Sequence, residues 1–262
     1  MQENNNRLVD EALVYEPVKN TFLLGWEWII LNKPFTAMAL GIYILFNIVG
    51  VSFLATVFAI VIHIYVGRIF YTSNNITTFV DTIKGATREK LLKDTLAPAL
   101  GAYLGWTLLM FISGLVLLLL VLNIHDISVL NLQTPEDIEA NMEILKPLLM
   151  GFSIPLFSIM LLLLYVKPLV EANITFSHTF KEGFSAVFTI FSLVLWRKVM
   201  RSDYFFYVLK LNFLLILMML PIGFLVNVIG LNLLTYMMIF ILLYVVNIIM
   251  AMASMMLRRI VE

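Results

Sequence analysis

Cysteine is absent from this 262-residue chain, and charge is scarce, with Asp, Glu, Lys and Arg making up 13% of it. Without a thiol there is no disulfide framework, no thiolate metal site and no cysteine nucleophile. Histidine occurs three times, as His63, His125 and His178, with no ligand spacing among them. None of the 17 acidic residues lies in the middle of a long apolar run; Glu27 and Glu171 come closest, both near a run's end. A proton-coupled transporter or an intramembrane aspartyl protease ordinarily needs a carboxylate at depth, so both mechanisms are disfavoured. A Gly-rich phosphate loop, a Ser–His–Asp arrangement, an HExxH helix and nucleic-acid motifs are missing as well. No catalytic residue, cofactor or metal site is therefore assigned, and the chain reads as non-enzymatic.

What fills the chain instead is apolar: 61% of residues are hydrophobic, against about 45–50% in soluble domains. The excess sits in five runs, Phe35–Phe70, Leu96–Leu122, Leu148–Val166, Tyr204–Val228 and Leu231–Leu257, and Lys210 is the one charge well inside any of them. A crossing takes about 20 helical residues. Phe35–Phe70 would be roughly 54 Å long as one helix, nearly twice the hydrocarbon thickness, so a break at Asn47–Gly50 divides it. Gly230-Leu231-Asn232 supplies the turn in the last stretch. The fold class expected is all-α, a polytopic transmembrane helical bundle of about six spans with interfacial amphipathic helices. The spans fall at about 35–48, 51–69, 97–122, 147–168, 204–228 and 232–257, with five spans as the alternative. Residues 1–34 form a polar N-terminus and interfacial helix, and 35–262 the transmembrane domain. Met1–Val18 is polar and acidic, unlike a cleaved signal, so targeting is expected to rely on the first span.

Charges are segregated by loop. Arg68, Lys84, Arg88, Lys90 and Lys93 surround one connection; Lys167, Lys181, Arg197, Lys198 and Arg201 another; Arg258 and Arg259 end the chain. The segment between the third and fourth spans holds Asp126, Glu136, Asp137, Glu139 and Glu143 against Lys146 alone. Basic loops stay in the cytoplasm, which places both termini there and the acidic loop outside. Thr134-Pro135-Glu136-Asp137 in that loop reads as a helix start, with Pro147 as a bend further on. Calcium or magnesium at Asp126, Glu136 and Asp137 is a minor alternative to a solvated acidic helix.

Three stretches have interfacial character. Thr21–Leu31 carries Phe22, Leu23, Trp26, Ile29 and Ile30 on a broad face and ends at Asn32-Lys33-Pro34. Phe176–Trp196 includes an apolar piece, Ser185–Trp196, too short to span. Ile76–Leu92 places Ile76, Phe79, Val80 and Ile83 opposite Asp81 and Lys84 and is interrupted at Gly85. The first two share a pattern, Thr21-Phe22-x-x-Gly25-Trp26 and Thr179-Phe180-x-x-Gly183-Phe184, each ahead of an apolar hairpin, which hints at an internal duplication.

With its T-F-x-x-G-[WF] helices, paired hairpins and Arg-rich turn after Trp196, the chain resembles a loose group of bacterial six-span proteins. The group includes the YciC-type inner membrane proteins and the membrane domain found beside glycerophosphodiester phosphodiesterases. The resemblance covers most of the chain in layout, implies a multi-pass protein of the bacterial inner (cytoplasmic) membrane, and transfers no functional site.

The leading functional reading is a scaffold or accessory subunit whose cytoplasmic face contacts lipid. Lys210, about six residues into its span, either snorkels to the headgroups or holds a lipid phosphate or other anion, helped by Arg201 and Asn212. Arg197, Lys198 and Arg201 complete the candidate lipid or anion contact. The partners expected are membrane lipids, anionic ones first, with a protein partner or a second copy of the chain; nothing points to nucleic acid. The alternative is a transporter or channel for a small or lipid-like solute, along a path near spans kinked by Pro98, Pro147, Pro155, Pro168 and Pro221. His63 reads as a hydrogen-bonded packing histidine. Asn47, Ser113, Ser153, Asn212, Asn227 and Asn247 read as glue between helices, and Ala97, Gly101, Gly105 and Ser113 as a close-packing face.

Overall fold

The computed structural model describes residues 7–84, 92–124 and 161–262, with Thr134 and Glu136 between. By contacts the chain divides into two compact units, Met1–Gly105 with Lys167–Glu262, and Trp106–Val166. The second unit lies largely outside the described residues, and so do the expectations for Asp126, Asp137, Pro147, Ser153 and most of the 147–168 span. Among the described residues all regular structure is helical.

The helices of the first unit are α1 (Leu8–Val14), α2 (Pro17–Leu31), α3 (Lys33–Ile48), α4 (Ser52–Thr72) and α5 (Ile76–Lys84). There follow α6 (Leu96–Ile124), which runs on into the second unit, and α7, helical over 161–175. After them come α8 (Phe180–Phe188), a 3-10 turn (Thr189–Phe191), α9 (Leu193–Val199), α10 (Ser202–Ile229) and α11 (Leu233–Val261).

Four helices are long and apolar enough to cross a membrane: α4, α6, α10 and α11. A fifth candidate is the pair α2 and α3, bent by 93° into a broken span or a re-entrant loop. The bend follows from Pro34, which lacks an amide proton and disfavours helical backbone at the residue before it. The hairpin turns fall where the sequence puts them. Gly50 and Gly230 adopt positive φ, +81° and +72°, which a residue with a Cβ reaches only at a cost. Asn232 then caps α11 by accepting from the Thr235 amide at 3.0 Å.

α4 is the central helix, 67% of its apolar window being buried, whereas only 6% of that of α10 is. Phe213, Leu220 and Phe224 on α10 each leave more than half of their surface exposed. An apolar face of this extent has no counterpart on a monomer built for water.

The predicted amphipathic stretches take a different form. α2 buries Val18, Thr21, Leu24, Gly25 and Trp28, while Leu23, Trp26 and Ile30 stay exposed. It is clamped to α11 rather than lying free on a surface: a methyl on Gly25 would stand 3.1 Å from Ile249 Cγ1. Phe176–Trp196 breaks into α8, the 3-10 turn and the start of α9. α5 turns Phe79 and Ile83 inward, with Phe79 5.8 Å from the Trp28 ring.

The two T-F-x-x-G segments share one role and differ in another. A methyl on Gly183 would overlap the backbone of Pro98, and one on Gly101 would overlap the carbonyl of Phe180. α8 therefore crosses the start of α6 backbone to backbone, as the small residues Gly101 and Gly105 anticipate. The threonines part company: Thr21 lies within α2 and bonds the Tyr207 hydroxyl at 2.5 Å, whereas Thr179 caps α8 by accepting from the Glu182 amide.

Candidate functional site

One end of the first unit gathers most of the charge. There α4, α7 and α11 finish, α10 starts, and α1 packs across them through Leu8 N–H to Ser73 O at 3.0 Å. Several of its basic residues are committed to structure. Arg68 donates from Nε to Thr175 O at 2.7 Å, from Nη1 to Asp94 O at 3.0 Å, and from Nη2 to Ser177 O. Arg258 pairs with Glu262 at 2.7 Å and lies 4.0 Å from the Phe176 ring centre; Arg259 pairs with Asp10 at 2.5 Å. Lys167 pairs with Glu171, and Lys19 with Glu16.

Carboxylates in these contacts are tuned accordingly. Burial pushes the Glu262 carboxyl up, but donation from Arg258 and Tyr71 outweighs it and leaves the group below its ordinary range. Glu182 is held low by the backbone N–H groups of His178 and Thr179 at the start of α8.

Arg197, Lys198, Arg201 and Lys210 are different. All four are exposed, and none has an ion pair among the described residues; Lys33, Lys93 and Lys181 share this condition. Arg197 and Lys198 occupy the last turn of α9, and Arg201 precedes α10. Beside them Phe191, Leu193, Val194 and Met200 are 65–79% exposed. Short helices thus carry bulky apolar side chains outward next to three free cations.

Lys210 does not join that cluster. It lines a groove of about 570 Å³ with Lys19, Tyr207, Phe206, Val18 and Asp203. Lys198 lines a smaller one of about 230 Å³ with Asn173, Thr189, Ser192, Arg258 and Glu262. Asn212 does not assist Lys210 either, since its amide donates to Val208 O of its own helix at 3.0 Å. Of the polar spanning residues, Asn47 likewise bonds its own helix, through Tyr43 O, and Asn247 reaches across to Ala59 O.

His63 is buried, 5% exposed, beside the Asn247 side chain, as a packing histidine would be, and its Nε2 has no hydrogen-bond partner among the described residues. Lys19, Tyr207 and the Arg68 cap were not anticipated; only contacts between distant segments bring them to these places. Glu182 had a readable signal, a Thr-x-x-Glu capping box from Thr179.

No family model, curated protein or solved structure matches this chain. What it does has to follow from its own residues.

Proposed function

We propose that the chain is a non-enzymatic, multi-pass protein of the bacterial inner membrane, a scaffold or accessory subunit. It holds anionic lipid along its cytoplasmic rim through Arg197, Lys198 and Arg201, with Lys210 on a second groove. The observation that carries this reading is the pairing of uncommitted cations with outward apolar side chains on α9 and its flanks. Phe191, Leu193 and Val194 enter the acyl boundary, and the guanidinium and ammonium groups meet the phosphates above it. Each such cation near an anionic leaflet is worth about 1 kcal/mol.

Six crossings fit the reading. The Asp10–Arg259 pair joins a residue of α1 to one at the end of α11, so the chain leaves and returns at the same end, which favours an even number of spans. The bent pair, the four long helices and the 147–168 segment make six. That end is rich in arginine, which supports a cytoplasmic placement for both termini. The exposed face of α10 leaves room for a protein partner or a second copy.

The test is native mass spectrometry of the detergent-extracted protein. Changing Arg197, Lys198 and Arg201 together to Gln lowers retention of anionic phospholipid while zwitterionic lipid is unaffected. Equal retention of anionic lipid by the triple variant contradicts the proposal.

A further inference from the structure

The turn between α1 and α2 is held in a conformation that its residue rarely takes. Glu16 has φ +45°, in the left-handed region that glycine enters without cost and other residues seldom do. Asn20 pins this turn, its Nδ2 donating to Ala12 O at 2.9 Å and to Tyr15 O. So placed, the Glu16 carboxylate takes Lys19 Nζ at 2.6 Å along one wall of the groove of about 570 Å³. An ammonium has three donors, and Glu16 occupies one of them. Thr21, bonded to the Tyr207 hydroxyl at 2.5 Å, ties this wall to α10.

A second wall belongs to α10. Asp203, Phe206, Tyr207 and Lys210 line the groove from positions i, i+3, i+4 and i+7, one face of the helix. Asp203 and Lys210 are both exposed, and neither has an ion pair among the described residues. Two turns separate them, about 10 Å along the axis, with the exposed ring of Phe206 between. One face of α10 thus offers the groove a free anion and a free cation over an apolar surface. Beyond Lys210 the same face runs on through Phe213, Leu217 and Leu220, all exposed. The volume lies within the range of about 300–1,000 Å³ typical of ligand sites.

We propose that this groove binds an anionic phospholipid whose headgroup also carries an ammonium group, which deepens the lipid reading given above and rests on it. The phosphate meets Lys210 and the headgroup ammonium meets Asp203. Lys19, with two donors left beside Glu16, meets a second anionic group such as the carboxylate of a phosphoserine head. The acyl chains follow Phe213, Leu217 and Leu220 into the hydrocarbon, an apolar track that a free phosphate compound would leave bare. Asp203 is what sets this site apart from the rim. Arg197, Lys198 and Arg201 offer cations alone, and so take any anionic head. A carboxylate accepts only from donors, and a charged N–H outranks a neutral hydroxyl there. The groove therefore selects by headgroup chemistry, where the rim selects by charge.

The test uses the full chain in detergent, stripped of lipid and given equal amounts of phosphatidylserine and phosphatidylglycerol with matched acyl chains. Both lipids carry a single net negative charge, so the ratio retained reads headgroup chemistry rather than charge. The background is the variant with Arg197, Lys198 and Arg201 changed to Gln. There, native mass spectrometry is expected to show phosphatidylserine retained about threefold over phosphatidylglycerol, in keeping with one exposed ion pair. Asp203→Asn removes the preference, and Asp203→Glu keeps it. Lys210→Met lowers retention of both lipids about fivefold. Both side chains are exposed, so neither change empties a core position. Equal retention of the two lipids with Asp203 intact, a ratio indifferent to Asp203→Asn, or unchanged retention in Lys210→Met each overturns the proposal. The rim is scored separately, by the total anionic lipid lost in the triple variant. A triple variant that loses none, with the ratio still set by Asp203, contradicts the rim and supports the groove.

Discussion

The guanidinium of Arg68 on α4 closes the C-terminal end of α7 by donating to Thr175 O at 2.7 Å, across 107 positions of sequence. The last carbonyls of a helix have no partner within it, and here one side chain reaches three carbonyls, those of Thr175, Ser177 and Asp94. A planar fork with five donors suits this geometry; an ammonium does not. Arg68→Gln is expected to destabilise the protein by about 2–3 kcal/mol, read as a lower midpoint in thermal unfolding of the purified protein. Arg68→Lys recovers less than half of the loss.

Glycine positions separate into tight and open. Gly101→Ala and Gly183→Ala put a methyl into backbone at the α6–α8 crossing, and overpacking of this kind costs about 1–3 kcal/mol. A methyl added at Gly41 would meet nothing within 4 Å, so Gly41→Ala is neutral or stabilising by up to about 1 kcal/mol, the helix preference for alanine. Melting temperatures of the three variants side by side check the ordering.

Much of this layout is legible in the sequence because it rests on local chemistry. Gly50 and Gly230 mark turns through backbone freedom, Pro34 ends α2 by removing an amide proton, and Phe79 with Ile83 follows from helical period. Glycine at Gly101 and Gly105 signals close approach, although not what approaches. Illegible were the partners. Whether Arg68 is a topogenic charge or a helix cap, and whether Thr21 meets Tyr207, depend on residues roughly a hundred or more positions away. The same holds for the cations: Arg258, Arg259, Arg197 and Lys198 look alike in sequence, and only the position of Asp10 and Glu262 distinguishes the committed pair from the free one.

Acid should loosen α8 first. The Glu182 carboxyl is held below its usual value of 4.5 by the backbone N–H groups of His178 and Thr179. A group with a depressed folded pKa adds stability that is present above its unfolded pKa and disappears as pH falls through the folded value. Hydrogen exchange of the α8 amides is therefore expected to be independent of Glu182 protonation near neutrality and to lose protection only as the pH falls below the ordinary carboxylate range. Glu182→Gln shows the weakened protection at neutral pH, with little further loss on acidification.

Lys210 and Lys198 line different grooves, so the effects of Lys210 and of the Arg197, Lys198 and Arg201 cluster on lipid should add rather than compensate. Lys210→Met is expected to remove a distinct increment of bound anionic lipid from that lost in the Arg197, Lys198 and Arg201 variant. Native mass spectra of the single, triple and quadruple variants check this, and a quadruple variant no different from the triple one places Lys210 outside any lipid contact.

The proposed orientation puts the Arg-bearing end in the cytoplasm and the glycine-turned hairpin tips on the other side of the membrane. A chain without cysteine lets one introduced thiol report without background. In right-side-out spheroplasts treated with a membrane-impermeant maleimide, Leu231→Cys at the α10–α11 tip is predicted to label. Lys198→Cys is predicted to label only after the membrane is opened. Labelling of Lys198→Cys in sealed spheroplasts, with Leu231→Cys spared, contradicts the orientation and the lipid-binding rim together.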